Sequence, residues 1–160
     1  MSSSSISSPT SIPPSDPSRP DWLTAIPATA VHADLGPLQL AWLGDAVWEL
    51  HHRLRHCRQP GRSGALHRAV VAEVRADAQA AALAVLERDG LLTQEELELV
   101  RKGRNRAGRG PRKGEAGIYG RATGFETMVG WLFLQDPSRL AQLLAHLENA
   151  DPINLLPADA

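Results

Sequence analysis

The sequence predicts an all-α domain behind a Ser/Pro-rich N-terminal tail, and three observations carry this prediction. Ala and Leu dominate the chain while aromatic residues make up only 4% of it, a balance typical of helices rather than strands. Apolar residues recur at steps of three and four along several stretches, which is the period of an amphipathic helix. Thr93 followed by Glu96 has the spacing of a capping box at a helix start.

The first 30 of the 160 residues predict a disordered tail. They contain nine Ser and six Pro, and such a stretch cannot bury enough apolar surface to offset its chain entropy. The tail lacks the basic start and apolar centre of a secretory signal, and its two Asp and many Pro favour a plain extension over an organellar transit peptide. We therefore predict a tail over 1–30, one helical domain over 31–150 and a short tail over 151–160.

Five or so helices account for the domain. Leu40, Leu43, Val47, Leu50 and Leu54 form the apolar stripe of the first. The second is predicted as one long Ala-rich helix with Ser63 as a cap, the third starts at the Thr93 box, and Ser138 caps the last. The predicted helices cover about 37–56, 65–88, 93–102, 119–135 and 138–149, and the Gly-rich segment 103–117 is predicted to be a loop.

The formal net charge of −1 conceals a strongly basic segment. Residues 101–121 hold eight basic residues and one acidic residue, a net +7, whereas the other 139 residues carry −8. Such an asymmetry suggests a local site for a polyanion. The basic residues are Arg101, Lys102, Arg104, Arg106, Arg109, Arg112, Lys113 and Arg121.

Several chemistries are disfavoured by the residues present. The single cysteine, Cys57, excludes an intrachain disulfide framework and an all-Cys metal site. No apolar run approaches the roughly 18 to 20 residues needed to span a bilayer. His52 and His56 have no third ligand nearby in sequence, so a zinc site is improbable, and no Gly-Lys-Ser/Thr occurs to form a P-loop.

Two carboxylates stand in unusually apolar helical runs. Asp45 lies in the middle of the first helix between Gly44 and Ala46, and Glu126 is the one charge in the run 123–134. Each has an ordinary explanation, because Asp45 could be a surface position and Glu126 could pair with an arginine. Together they are what a divalent-cation site between two helices requires, since hard cations take oxygen ligands.

The basic segment is the candidate nucleic-acid surface, with a solvated connector as the alternative. Arginine dominates it, and glycines would let a partner approach the backbone. Tyr119 stands at its end. The candidate RNA-binding residues are Arg101, Lys102, Arg104, Asn105, Arg106, Arg109, Arg112, Lys113 and Tyr119.

These motifs resemble a known family. The run Leu40-Ala-Trp-Leu-Gly-Asp-Ala-Val-Trp-Glu49 is similar to the signature helix of the ribonuclease III catalytic domain, and Gly124-Phe-Glu-Thr-Met-Val-Gly130 resembles that family's second acidic motif. Leu66-His67, the patch 76–80 and the run 101–106 look more like the short branch, Mini-ribonuclease III. The resemblance extends from about Leu35 to Leu147.

The resemblance implies a homodimeric, magnesium-dependent endoribonuclease that cleaves double-stranded RNA, with Asp45 and Glu126 as catalytic metal ligands. It also implies maturation of large-subunit (23S) ribosomal RNA precursors, in a bacterial cytoplasm rather than a plastid stroma. The full-length enzymes have further carboxylates where this chain has Leu38, Ala41 and Thr123. Two alternatives remain open: a catalytically silent RNA-binding or ribosome-associated scaffold, and a helical protein-interaction module.

Overall fold

A computed structural model describes residues 34–58, 60–108, 110 and 115–150, and all of its regular structure is helical. The predicted all-α class is therefore confirmed for this part of the chain. The predicted tails 1–30 and 151–160 lie outside the described residues and stay predictions. The helices are α1 (Pro37–His56), α2 (Ser63–Val74), α3 (Ala76–Arg88), α4 (Gln94–Arg106), α5 (Ala116–Gln135) and α6 (Pro137–Ala150).

Helix α5 is the centre of the domain. It packs against α1, α3, α4 and α6, which explains why it is apolar on nearly every side. Met128 and Leu132 are almost fully buried, and so are Leu83 and Leu86 of α3. Each of these side chains contributes about 1.5 to 3 kcal/mol by leaving water. A polar residue on this helix, such as Glu126, is therefore held in place relative to four neighbouring helices.

The prediction of one long helix over 65–88 was wrong. The chain is extended at Arg75 (φ −66°, ψ 157°), which separates α2 from α3. Composition favours helix on both sides of this break, but α2 packs against α1 whereas α3 packs against α5. One straight helix could not make both contacts, so tertiary packing overrides the local preference.

The predicted loop 103–117 was wrong at both ends. Helix α4 continues to Arg106, and α5 already begins at Ala116. Gly103 is buried in α4, where a Cβ would lie 2.2 Å from Thr127 Oγ1 and 2.9 Å from Gly124 Cα. This glycine therefore permits close helix packing, whereas the sequence pattern indicated a loop.

The predicted helix starts had mixed outcomes. Thr93 and Glu96 form the capping box, with Glu96 N donating to Thr93 Oγ1 at 3.2 Å and Thr93 N donating to Glu96 Oε2 at 2.8 Å. Ser63 is the first residue of α2, so it does not occupy the cap position as predicted. Arg62 occupies that position, and its side chain makes no capping hydrogen bond. The cap of α6 is Asp136 and not Ser138, because Asp136 Oδ1 accepts from Arg139 N at 3.0 Å. A carboxylate is the stronger acceptor for these free amides.

Candidate active site at the crossing of α1 and α5

Helices α1 and α5 cross in backbone contact. A Cβ on Gly44 would lie 1.9 Å from the carbonyl oxygen of Glu126, and a Cβ on Gly130 would lie 2.1 Å from that of Leu40. Thr127 Oγ1 also donates to the carbonyl oxygen of Pro37 at 3.1 Å. Two glycines at one crossing thus let the helices approach more closely than side chains would permit.

The crossing brings the two anomalous carboxylates together. Asp45 follows Gly44 on α1 and occupies an exposed position, while Glu126 on α5 is half-buried. Burial, together with the negative charge of Asp45, raises the pKa of Glu126 to about 7. Sequence alone could not establish this proximity. Asp45 is indeed a surface position, as its ordinary explanation held, but no arginine lowers the pKa of Glu126.

Burial also raises the pKa of Asp45, with a second contribution from the negative charge of Glu49. Glu49 lies one turn further along α1, where Arg53 Nε donates to it at 3.0 Å. Three acidic side chains therefore face this region, and two of them hold protons more tightly than usual. A bound cation would relieve this repulsion and displace the proton from Glu126 near neutral pH.

Sequence reasoning missed a third polar group at this site, the carboxamide of Gln79. This residue of α3 is only 2% exposed, and its side-chain amide lowers the pKa of both Asp45 and Glu126. Its Nε2 nevertheless completes no hydrogen bond among the described residues. The one signal in the sequence was an amide within an otherwise Ala-rich helix.

The positions that carry further carboxylates in the full-length enzymes hold none here. Ala41 is buried, Leu38 is exposed, and the Thr123 hydroxyl donates to the carbonyl oxygen of Tyr119 at 3.0 Å. Within the described ranges, no group of three or more His, Cys, Asp or Glu could hold a metal ion. A cation at the crossing would therefore depend mainly on the carboxylates of Asp45 and Glu126, whose hard oxygens suit magnesium.

The candidate RNA-binding residues divide into four groups. Lys102, Arg104, Asn105 and Arg106 are exposed along the last turns of α4. Arg101 is exposed as well, but its Nε donates to Glu98 at 2.7 Å, so its charge is locally compensated. Tyr119 is half-buried, and a Cβ on Gly110 would lie 2.8 Å from its ring Cγ. Arg109, Arg112 and Lys113 lie outside the described residues.

The exposed basic end of α4 is fixed to the helix that carries Glu126. A Cβ on Gly124 would lie 2.6 Å from the carbonyl oxygen of Val100, and Gly120 lies against the side chain of Arg104. Arg121 of α5 forms an ion pair with Glu87 at 2.6 Å and so is partly neutralised. The basic surface and the carboxylates therefore belong to one rigid unit.

A separate histidine cluster lies at the other end of α1. Glu73 Oε2 is 2.6 Å from His52 Nδ1 and 2.9 Å from His56 Nε2, so the two histidines do have a common partner that sequence spacing did not indicate. Burial lowers the pKa of His52 and lowers that of His51 to about 3, mainly by disfavouring the charged ring. At neutral pH the His51 ring is therefore uncharged where it contacts Glu148, 3.2 Å away.

Comparison with known proteins decides the family. The model of the ribonuclease III domain matches residues 38–137, which include both carboxylates and all of the crossing. The chain belongs to the ribonuclease III family. It is 49% identical over 136 residues to Mini-ribonuclease 3 of Synechococcus sp., covering 85% of this chain and 95% of that protein. Mini-ribonuclease 3 of Synechocystis sp. is 46% identical over 117 residues, covering 73% and 80%.

A solved structure has the same arrangement of helices. The crystal structure of a protein from Fusobacterium nucleatum superposes with a TM-score of 0.65 at 25% identity, covering 74% of this chain and 95% of that one.

The family and its relatives identify this chain as an endoribonuclease that acts on double-stranded RNA, in the Mini-ribonuclease 3 branch. Family membership favours the enzyme over a protein-interaction module. No described helix is both long and apolar enough to cross a membrane.

Proposed function

We propose that this endoribonuclease uses magnesium held by Asp45 and Glu126, acts as a homodimer, and trims the ends of large-subunit (23S) ribosomal RNA precursors in a bacterial cytoplasm. The observation that carries the catalytic part is the crossing of α1 and α5, which places Asp45 close enough to Glu126 for its charge to raise the pKa of Glu126. The substrate follows from the resemblance to the short branch. The compartment follows from the same resemblance.

The residues at the crossing suit a divalent cation. Asp45 and Glu126 provide charged oxygens, and the raised pKa of each shows a local excess of negative charge or a deficit of solvation. Ribonuclease III enzymes generally depend on divalent metals, and magnesium prefers oxygen ligands together with retained waters. With so few carboxylates, the phosphate oxygens of RNA would complete the ligand set.

The protein's own residues perform the positioning. Asp45 and Glu126 would hold magnesium, which when bound stabilises negative charge at the scissile phosphate and makes a water molecule more acidic. The glycine crossing keeps the two carboxylates at a fixed separation, so little reorganisation is needed during the reaction. Because the pKa of Glu126 is about 7, its carboxyl is protonated in part of the free protein near neutral pH, and a bound cation would displace that proton.

A cleavage assay tests this function. The purified chain is incubated with a labelled RNA duplex, with magnesium and with EDTA, and the products are resolved on a denaturing gel. We expect cleavage only with magnesium. A duplex that is bound but stays intact under every metal condition would contradict the enzyme and support the silent scaffold. Precursor ribosomal RNA compared with an unrelated duplex of equal length tests the proposed substrate.

The exposed basic end of α4 is the proposed surface for the RNA backbone. Lys102, Arg104 and Arg106 present positive charge on a helix that is fixed to α5. A-form RNA hides its base edges in a deep groove, so a duplex is recognised mainly through its phosphates, its 2′-hydroxyls and its shape. These residues are therefore expected to contribute affinity rather than sequence selectivity.

Replacing Lys102, Arg104 and Arg106 by Ala should flatten the salt dependence of duplex binding. Each lost phosphate contact lowers the slope of log affinity against log salt by up to about one unit, because fewer counterions are released. Binding is measured by a salt titration with calcium in place of magnesium, on two unrelated duplexes.

A matched variant changes the net charge equally at a different surface. Arg62, Arg68 and Arg75 are exposed on or beside α2, and their replacement by Ala should leave the slope near that of the parent. Equal slopes for all three proteins would mean that the basic end of α4 is only a solvated connector.

An exposed apolar ridge on α1 supports the homodimer. Trp42 is 82% exposed and Leu38 is 51% exposed, and the two lie one turn apart on one face of the helix. An exposed Trp beside an exposed Leu marks a protein surface that another copy can cover. Asp45 lies about one turn beyond Trp42 on nearly the same face, so a second copy seated here would lie beside the candidate active site.

Trp42→Ser should convert the dimer to a monomer at micromolar concentration. A buried interface Trp commonly contributes 2 kcal/mol or more to association, which is roughly a thirtyfold loss of affinity. Sedimentation velocity of parent and variant measures the change. Ile118 of α5 is 44% exposed away from this ridge, and Ile118→Ser should leave the dimer intact. A parent that sediments as a monomer at micromolar concentration would contradict the assembly.

A further inference from the structure

The buried amide of Gln79 is the most unusual polar group in the described structure. It is 2% exposed, and leaving such a donor without a hydrogen bond costs about 1 to 3 kcal/mol. A leucine or methionine would fill the same space in the core without that cost. Its Nε2 completes no hydrogen bond among the described residues, and the side chain instead interacts with Asp45 and Glu126.

We propose that Gln79 is the third protein group of the cation site, with its carboxamide interacting with the two carboxylates in the free protein and supplying a neutral oxygen to the bound divalent cation. The proposal rests on the magnesium site proposed above. An amide can serve both states, because it carries two N–H donors on one side and a carbonyl oxygen on the other. Rotation about one bond exchanges these groups without moving the helix.

The composition of the site explains why a neutral ligand would be useful there. Asp45 is already near two other acids, Glu49 and Glu126. A further carboxylate would increase the repulsion in the free protein, whereas an amide oxygen adds a hard ligand without charge. Ala41 and Thr123 provide no carboxylate at this site, so a neutral oxygen from Gln79 of α3 would add a ligand that α1 and α5 do not supply at these two positions.

Two substitutions at this position separate a ligand from a packing residue. Gln79→Leu keeps the approximate volume and removes the polar group. Gln79→Glu keeps the shape and adds a charge. For each protein, Mn²⁺ binding is measured by the loss of the free Mn²⁺ signal in electron paramagnetic resonance, and thermal unfolding is measured in EDTA. Neither measurement depends on cleavage or on RNA.

The proposal predicts that affinity and stability change in opposite directions. Gln79→Leu should weaken Mn²⁺ binding by about tenfold, as expected when a supporting group of a metal site is removed, while its unfolding temperature in EDTA stays the same or rises. Gln79→Glu should bind Mn²⁺ at least as tightly as the parent, but it should unfold at a lower temperature in EDTA. Gln142 is exposed on α6, and Gln142→Leu should alter neither quantity.

A purely structural role would give a different pattern. If both substitutions lower the unfolding temperature and the Mn²⁺ affinity in parallel, or if neither changes the affinity, Gln79 is not part of the cation site. Asp45→Asn is measured in the same series. If Asp45→Asn weakens Mn²⁺ binding and Gln79→Leu does not, only the inference about Gln79 fails. If the parent binds no Mn²⁺, the proposed metal site fails with it.

Discussion

Asp45→Asn and Glu126→Gln should each lower the rate of duplex cleavage by about a hundredfold or more. Each change keeps the shape of the side chain and removes a negative charge that would hold magnesium, so the developing charge on the scissile phosphate loses its stabilisation. The rate is measured with a saturating labelled duplex in single-turnover conditions. A variant that cleaves at close to the parental rate would show that the catalytic assignment is wrong.

The controls for this pair use exposed acids outside the crossing. Asp77 and Glu95 are exposed at the starts of α3 and α4, and Asp77→Asn and Glu95→Gln should cleave like the parent.

Glu126→Gln should also be at least as stable as the parent above about pH 7. The pKa of Glu126 is raised to about 7 in the folded state, so ionisation of this group opposes folding as the pH rises, and a neutral amide removes that effect.

Gly44→Ala should destabilise the protein by about 3 kcal/mol or more and abolish cleavage. The new Cβ would lie 1.9 Å from the carbonyl oxygen of Glu126 and 2.8 Å from the amide nitrogen of Gly130. Both are backbone atoms, so the helices would have to separate rather than repack a side chain, and overpacking of this kind is at the costly end of its usual range. Chemical denaturation measures the loss in the free energy of unfolding.

Gly117→Ala is the matched control, since it also replaces a glycine within a helix. A Cβ at Gly117 would meet nothing within 4 Å, and Gly117 lies in the first turn of α5. Alanine is about 1 kcal/mol better than glycine inside a helix, so this variant should be as stable as the parent or slightly more so. Similar free energies for the two variants would show that α1 and α5 do not touch at Gly44.

The sequence predicted the fold class and the boundaries of α1 well because local signals determine them. The first helix has an apolar stripe and a proline at its start, and the Thr93 box fixes the start of α4. The predictions failed where tertiary contacts decide. The break at Arg75 depends on what α2 and α3 pack against, and Gly103 belongs to a helix because it faces Thr127. Neither contact leaves a local pattern.

The candidate site was predictable in part. Asp45 and Glu126 were conspicuous because each interrupts an apolar run, and charge out of context is visible in sequence. Gln79 was missed because an amide in an Ala-rich helix is ordinary, and its importance depends on burial that only the fold reveals. Glu73 was likewise not expected beside His52 and His56, since it lies on a different helix.

Buried glycines attach both α1 and α4 to α5, and this attachment affects which RNA shapes the domain can accept. Gly44 and Gly130 let α1 pack tightly against one side of α5, and Gly103 and Gly124 let α4 pack tightly against the other. The distance between the two carboxylates and the exposed basic residues of α4 is therefore expected to stay constant when RNA binds. An RNA whose shape departs from the A-form, through a bulge or an internal loop, must itself bend to contact both the carboxylates and the basic residues. The place of the cut then depends on how readily each stretch of RNA deforms.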